Sequence, residues 1–237
     1  MFHTLFNQFL CLIAKILFLL TARITLIGLK KVPRGPYLLV CNHISHFDPP
    51  FVASFFPRKL DFMAMRDLFK NPVLGFIFRM ADMFPVSRGK TDMDAVRVTL
   101  QRLEWERIVC IFPEGGLRTG KDSVLEGSPL KTGATILAEM AAVPVRACLV
   151  LGTDRYYSWK FWERIDLVMI LGEEIVSRPE LRGRASRDDL NTRIEHSLRG
   201  LYAVAQKLAL FHEGLVPRTA QMRWTEAEMK AGKGISS

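Results

Sequence analysis

The sequence predicts an α/β fold: a single domain with a mostly parallel central sheet flanked by helices, plus an N-terminal membrane-associated amphipathic helix. Three observations carry this expectation. Short β-rich runs alternate with stretches of helical period, the pattern that builds parallel sheets. The β-rich runs are continuously apolar and read as buried strands. The first 22 residues are strongly aliphatic and contain no acid.

In chain order, residues 4–22 (TLFNQFLCLIAKILFLLTA) hold fourteen apolar residues of nineteen and one charge, Lys15. As a helix this segment is about 28 Å long, nearly the thickness of a bilayer core. Thr4, Asn7, Gln8 and Lys15 share one narrow face, leaving a wide apolar arc. That pattern favours a helix lying in the membrane interface or sunk into one leaflet over one that spans. A cleaved signal peptide fits less well, because a basic n-region is missing and Lys15 interrupts the apolar run.

Strands are expected at residues 37–41, 60–65, 107–112, 143–152 and 166–171. Helical spacing covers 67–80, 91–106 and 131–142. A capping-box-like start at Ser186 and Asp189 opens a last amphipathic helix carrying Leu190, Ile194, Leu198, Leu201, Ala205 and Leu208. A polar tail follows. Cys11, Cys41, Cys110 and Cys148 lack zinc or CxxC spacing and read as small buried hydrophobes in a reducing compartment.

The 237 residues carry a net charge of +9, which calls for an anionic partner. Lys15, Arg23, Lys30, Lys31 and Arg34 precede the first acid, Asp48, and are interleaved with Leu, Ile and Phe. Basic charge mixed with aliphatic bulk favours a lipid surface, and nucleic acid is not expected.

Three strand-end loops carry residues suited to chemistry. In CNHISHFDPP (41–50), Asp48 can fold back onto His43 from a loop and hold it as a general base. Asp48 also suits a helix N-cap with Pro49 at the first helical position, and from spacing alone a turn and a cap explain the pair equally well. His43, His46 and Asp48 as metal ligands are a weaker alternative, since three residues this close need distant ligands to complete a site. A metal is not expected. In IFPEGGLRTG (111–120), Gly115 and Gly116 permit a tight turn whose N–H groups approach an anion, and Arg118 adds a phosphate-matching fork. Glu114 in the same turn suits the orientation of an arginine or a hydroxyl. FPVSRGK (84–90) supplies Arg88 beside Gly89. No GxSxG and no evident nucleophile is present, so a base here would activate a hydroxyl of the substrate. Ligands bind open α/β sheets at the carboxyl ends of strands, which makes the three loops more telling together than singly.

These blocks resemble the glycerolipid acyltransferases typified by 1-acylglycerol-3-phosphate acyltransferase. Asn42-His43-Ile44-Ser45-His46-Phe47-Asp48 matches the NHxxxxD block, and Arg88 in FPVSRG ends the second. Phe112-Pro113-Glu114-Gly115 matches F-P-E-G, and Val143-Pro144-Val145 matches the fourth block. The resemblance implies transfer of a fatty acyl group from an acyl-CoA or acyl-carrier protein thioester to a lysophospholipid hydroxyl, without a further cofactor. It implies His43 as the base and Asp48 as its orienting partner, with Arg88, Glu114, Gly115 and Arg118 shaping the acceptor-phosphate site. A membrane-associated segment over 1–30, a core over 35–155 and a completing strand and helix over 156–237 are expected. The position is expected to be the cytoplasmic face of a membrane, bacterial inner membrane first. Two departures from the pattern involve three residues. Gly116 and Leu117 stand where T-R usually follows F-P-E-G, and Met65 stands where a basic residue is common.

Overall fold

The computed structural model describes residues 2–87, 92–219, 221, 222 and 225, without the side chains of residues 2–4 and Lys31. Seven strands form one sheet, in the order β1-β7-β6-β2-β5-β3-β4. They are β1 (Ala22–Ile27), β2 (Tyr37–Cys41), β3 (Leu60–Met65), β4 (Phe84–Val86), β5 (Ile108–Ile111), β6 (Val145–Leu151) and β7 (Ile165–Ile175). Every neighbouring pair is parallel except β6 and β7. The exception has a local cause. A parallel return needs a crossover of a dozen or more residues, usually helical, whereas β6 and β7 are joined by a link whose regular structure is a short 3₁₀ turn, Thr153–Ser158.

Helices cover both faces. β2 is buried at all five positions, and its alternate side chains point into two different cores. Leu38 and Val40 pack in a core shared with α5 (Gly133–Ala141) and α6 (Gly183–Gln206), through Leu137, Leu190, Ile194 and Leu198. Leu103 of α4 (Met93–Glu104) joins the same core. Tyr37, Leu39 and Cys41 pack in the other core, against Phe18 of α1 (Phe2–Thr21) and Phe51 and Val52 of α2 (Asp48–Phe55). Cys41, Cys110 and Cys148 are fully buried and unbridged, behaving as small hydrophobes.

Several boundaries differ from expectation. The segment 67–80 is not one helix. A 3₁₀ turn over Arg66–Lys70 ends at Asn71, and α3 (Pro72–Met80) starts afresh. Pro72 holds the preceding residue in the extended region, and the Asn71 side chain then caps α3 by accepting from Val73 N and Leu74 N. α6 starts at Gly183, three residues before Ser186, which is buried inside the helix. Asp48 is the first residue of α2, behind Phe47 at the cap position, and makes no cap hydrogen bond.

In α1 the amphipathicity is present and its polar side lines a cleft, with Asn7 buried and Gln8 and Lys15 exposed. Asn7 donates to Ala81 O at 2.8 Å, while Lys15 lies over the Phe55 ring. The expected stripe member Thr4 falls outside the described side chains. The opposite side is the exposed apolar arc of Leu5, Phe9, Leu12, Ile16, Leu19 and Leu20. Among the described residues, no helix is long and apolar enough to cross a membrane.

Candidate active site

The loops after β2, β5 and β6 meet at one rim of the sheet, since those strands run parallel. The buried side chain of Asn42 ties this rim together. It donates to Val150 O at 2.9 Å and accepts from Val150 N at 2.8 Å, locking the end of β2 to β6. From there the chain turns, and Asp48 swings back under His43. His43 Nδ1 and Asp48 Oδ2 are 2.8 Å apart. The same oxygen accepts the backbone N–H groups of Ile44 and Ser45, at 2.8 and 2.9 Å, and Thr153 Oγ1 donates to Oδ1. Asp48 is therefore fully buried, yet four donors surround it. Each donor is neutral or an imidazole N–H, so the carboxylate fixes the Nδ1–H tautomer and leaves Nε2 as the ring's acceptor.

The ring is held from below by Phe112, stacked at 4.2 Å between centroids. Glu114 clamps the backbone: Oε2 accepts His43 N at 2.6 Å, and Oε1 accepts Ser123 Oγ and Val124 N. Burial pushes the Glu114 carboxyl above its ordinary value, opposed by the N–H groups of Val124 and His43. The Arg118 N–H donates to His43 O at 2.8 Å.

His43 opens onto a cleft of about 1330 Å³. Its walls are largely apolar and come from α1, α2, α3 and β3, including Leu10, Ala14, Ala53, Leu74, Ile77 and Phe62. At the His43 end the wall changes character, to Gly115, Gly116, Lys131, Thr132 and Gly133. Gly115 has φ +70°, and Lys131 Nζ occupies the space that a Cβ there would fill. An imidazole on the wall of a largely apolar cleft, with a lysine near it, suits an amphiphile carrying a hydroxyl and an anionic head.

The structure thus brings together His43, Asp48, Glu114 and Gly115. Arg118 joins them through its backbone only: its side chain is exposed and does not line the cleft. Arg88 lies outside the described residues. His46 also lines the cleft, but its ring pairs with Tyr157 rather than with Asp48, with Nδ1 2.5 Å from Tyr157 Oη. Among the described residues no three His, Cys, Asp or Glu side chains converge as metal ligands. Glu114 reaches backbone N–H groups and a serine rather than an arginine. Lys131 and Thr153 were not singled out from sequence. Thr153 follows the β6 strand end, where the strand-end rule points to it, whereas Lys131 carries no local signal, because a lysine just ahead of a helix is not a start signal.

The family model for acyltransferases matches residues 23–150, more than half of the chain. The chain belongs to the acyltransferase family. Among the chain's relatives, the 1-acyl-sn-glycerol-3-phosphate acyltransferase of Streptococcus pneumoniae is 28% identical over 58% of the chain and 50% of its own length. That of Bacillus subtilis is 26% identical over 59% of the chain and 66% of its own length. The lyso-ornithine lipid O-acyltransferase of Pseudomonas aeruginosa is 30% identical over 38% of the chain and 35% of its own length. The chain therefore spans about half to two thirds of the first two relatives. In fold, the chain resembles the crystal structure of the 1-acyl-sn-glycerophosphate acyltransferase PlsC from Thermotoga maritima, with a TM-score of 0.62 and 18% identity. The likeness covers 83% of this chain and 80% of that one.

Proposed function

We propose that this chain transfers a fatty acyl group from an acyl thioester to the free hydroxyl of a lysophospholipid, with 1-acylglycerol-3-phosphate as the first acceptor and phosphatidic acid as product. The observation that carries this reading is the buried, four-donor Asp48 holding His43 Nδ1 at 2.8 Å, where the ring opens onto an apolar cleft. In this scheme His43 Nε2 takes the acceptor's hydroxyl proton as the oxygen attacks the thioester carbonyl. The charge that forms on the ring is stabilised by Asp48. The tetrahedral intermediate collapses by breaking the C–S bond, and the imidazolium returns its proton to the departing thiolate of coenzyme A or acyl-carrier protein. The attacking oxygen belongs to the lipid, so no protein nucleophile and no cofactor beyond the thioester enters the scheme.

In this reading Lys131, the cation beside Gly115, faces the acceptor phosphate, and Arg88 is a second candidate to hold it. The exposed arc of α1 rests in the cytoplasmic face of a membrane and delivers acceptor along the cleft that α1 walls. With purified protein in detergent, acyl thioester should be consumed only when lysolipid is supplied. His43→Ala should lower the rate by on the order of 10²–10⁴ while leaving the unfolding transition in place. Turnover that persists in this variant would overturn the mechanism.

A second acceptor class, lyso-amino-acid lipids, is favoured by one departure and one relative. Met65 lines the cleft where a basic residue is common, and the Pseudomonas relative is named for lyso-ornithine lipid. Comparing kcat/KM for lysophosphatidic acid and lyso-ornithine lipid, with both donor types, decides between the two acceptors.

A further inference from the structure

The link between β6 and β7 ends in an aromatic tip that the catalytic scheme does not use. Phe161 and Trp162 are 87% and 79% exposed, more than any large residue on the outer arc of α1. Isolated apolar residues on a surface are ordinary, but two adjacent large aromatics this bare call for a cover. The tip is fastened rather than loose. Trp159 Nε1 donates to Glu163 O at 2.7 Å, and Glu163 N donates to Lys160 O at 2.9 Å, closing the turn. Arg164 Nη2 donates to both Leu19 O and Ala22 O at 3.0 Å, which binds the base of the tip to the end of α1. Rings continue the attachment: Phe18 lies 5.5 Å from Tyr156, and Tyr156 lies 6.2 Å from Trp159.

The tip also stands on the catalytic rim. β7 begins opposite Ala22 of β1 and antiparallel to the end of β6, so its start lies at the edge where β2 delivers His43. Phe47, inside the His43–Asp48 block, packs 5.1 Å from Tyr156. Behind the tip a cleft of about 360 Å³ is rich in basic side chains, among them Arg23, Lys160 and Arg164, with Glu163 and Asp166 as counter-charges. Arg23 is paired to Asp166 at 2.8 Å, while Lys160 reaches only the half-exposed Glu163 at 3.5 Å.

We propose that residues 159–164 are a second membrane anchor, in which Phe161 and Trp162 enter the headgroup layer of an anionic bilayer and Lys160 and Arg164 meet its headgroups. Tryptophan and phenylalanine suit that layer because a large apolar body sits beside water, and flanking cations add attraction to anionic lipid. Continuity with the exposed Leu19 and Leu20 at the end of α1 makes the tip and the arc one seat, holding the catalytic rim at the lipid surface. This anchor rests on the membrane seating proposed above.

The test uses the full chain with phosphatidylcholine vesicles, with and without phosphatidylglycerol. The variant F161S/W162S alters exposed positions only. Its partitioning onto phosphatidylglycerol vesicles should fall about tenfold, as expected for losing two interfacial side chains, while turnover of detergent-dispersed lysolipid stays unchanged. Lipids brominated near the headgroup should quench part of the wild-type tryptophan fluorescence, and W162F should remove that part. K160E should weaken binding to the anionic vesicles more than to neutral ones. Undiminished partitioning of F161S/W162S, or equal quenching in W162F, overturns the tip as an anchor while leaving α1 as the seat. Absence of wild-type binding to either vesicle overturns the membrane seating itself.

Discussion

Asp48 and Glu114 are two buried carboxyls that both hold His43, and their surroundings assign them different work. Asp48 is held by four donors and faces the imidazole ring. Glu114 faces the backbone of the same histidine, and its three donors keep the β2 and β5 loops in register with each other. Because burial raises the Glu114 carboxyl, the folded chain binds its proton at a pH where the unfolded chain, near the ordinary 4.3, has lost it. Its contribution to stability is thus complete below the unfolded value and is lost as pH rises through the folded one. Glu114→Gln should flatten this fall in urea-unfolding curves taken upward from pH 4, and should cost about 1–3 kcal/mol near neutrality because the amide turns a donor towards N–H groups. An unchanged pH slope would show that another group dominates the window.

At the scale of the element, α1 decides how the protein meets its surroundings. Its inner face is docked by Phe18, whose ring lies 5.4 Å from Phe51 and 6.2 Å from Phe55. Its outer arc is exposed among the described residues and is the face that the proposed membrane seating uses. Phe18→Ala removes the centre of that docking and should cost about 3–5 kcal/mol if the helix remains packed, less if it detaches. Limited proteolysis around residue 21 separates the cases: rapid cleavage with little loss of global stability means that α1 opens as a unit. Hydropathy periodicity finds this helix, yet it cannot tell which face looks inward. Asn7 and Lys15 look like a water-facing stripe in sequence, and they turn out to wall the cleft.

At the scale of the molecule, the family match ends at residue 150, but the fold does not. β7 lies between β1 and β6, so it is the strand through which β1 joins the sheet. α6 then covers one core with Leu190, Ile194, Leu198 and Tyr202. A chain ending at residue 155 should therefore lose its cooperative thermal transition and its near-ultraviolet circular dichroism. A sharp transition in that truncated chain would mean that residues 22–151 fold without β7, contrary to the pairing of the sheet.

Sequence alone determined the α/β class, most of the strands and the loops that bear His43, Asp48, Glu114 and Gly115. Apolar runs and strand-end motifs are local, and local signals survive in one dimension. Tertiary structure decided what depends on distance between remote segments. It turned Asp48 from an equally plausible helix cap into the partner of His43, because Thr153, 105 residues away, completes the carboxylate's shell. It made β7 antiparallel to β6, brought Lys131 over Gly115 and left the Arg118 side chain off the cleft wall. Which side of α1 is the inside was likewise settled by the partners it packs against, since an amphipathic helix fixes an angle between its faces and not their direction.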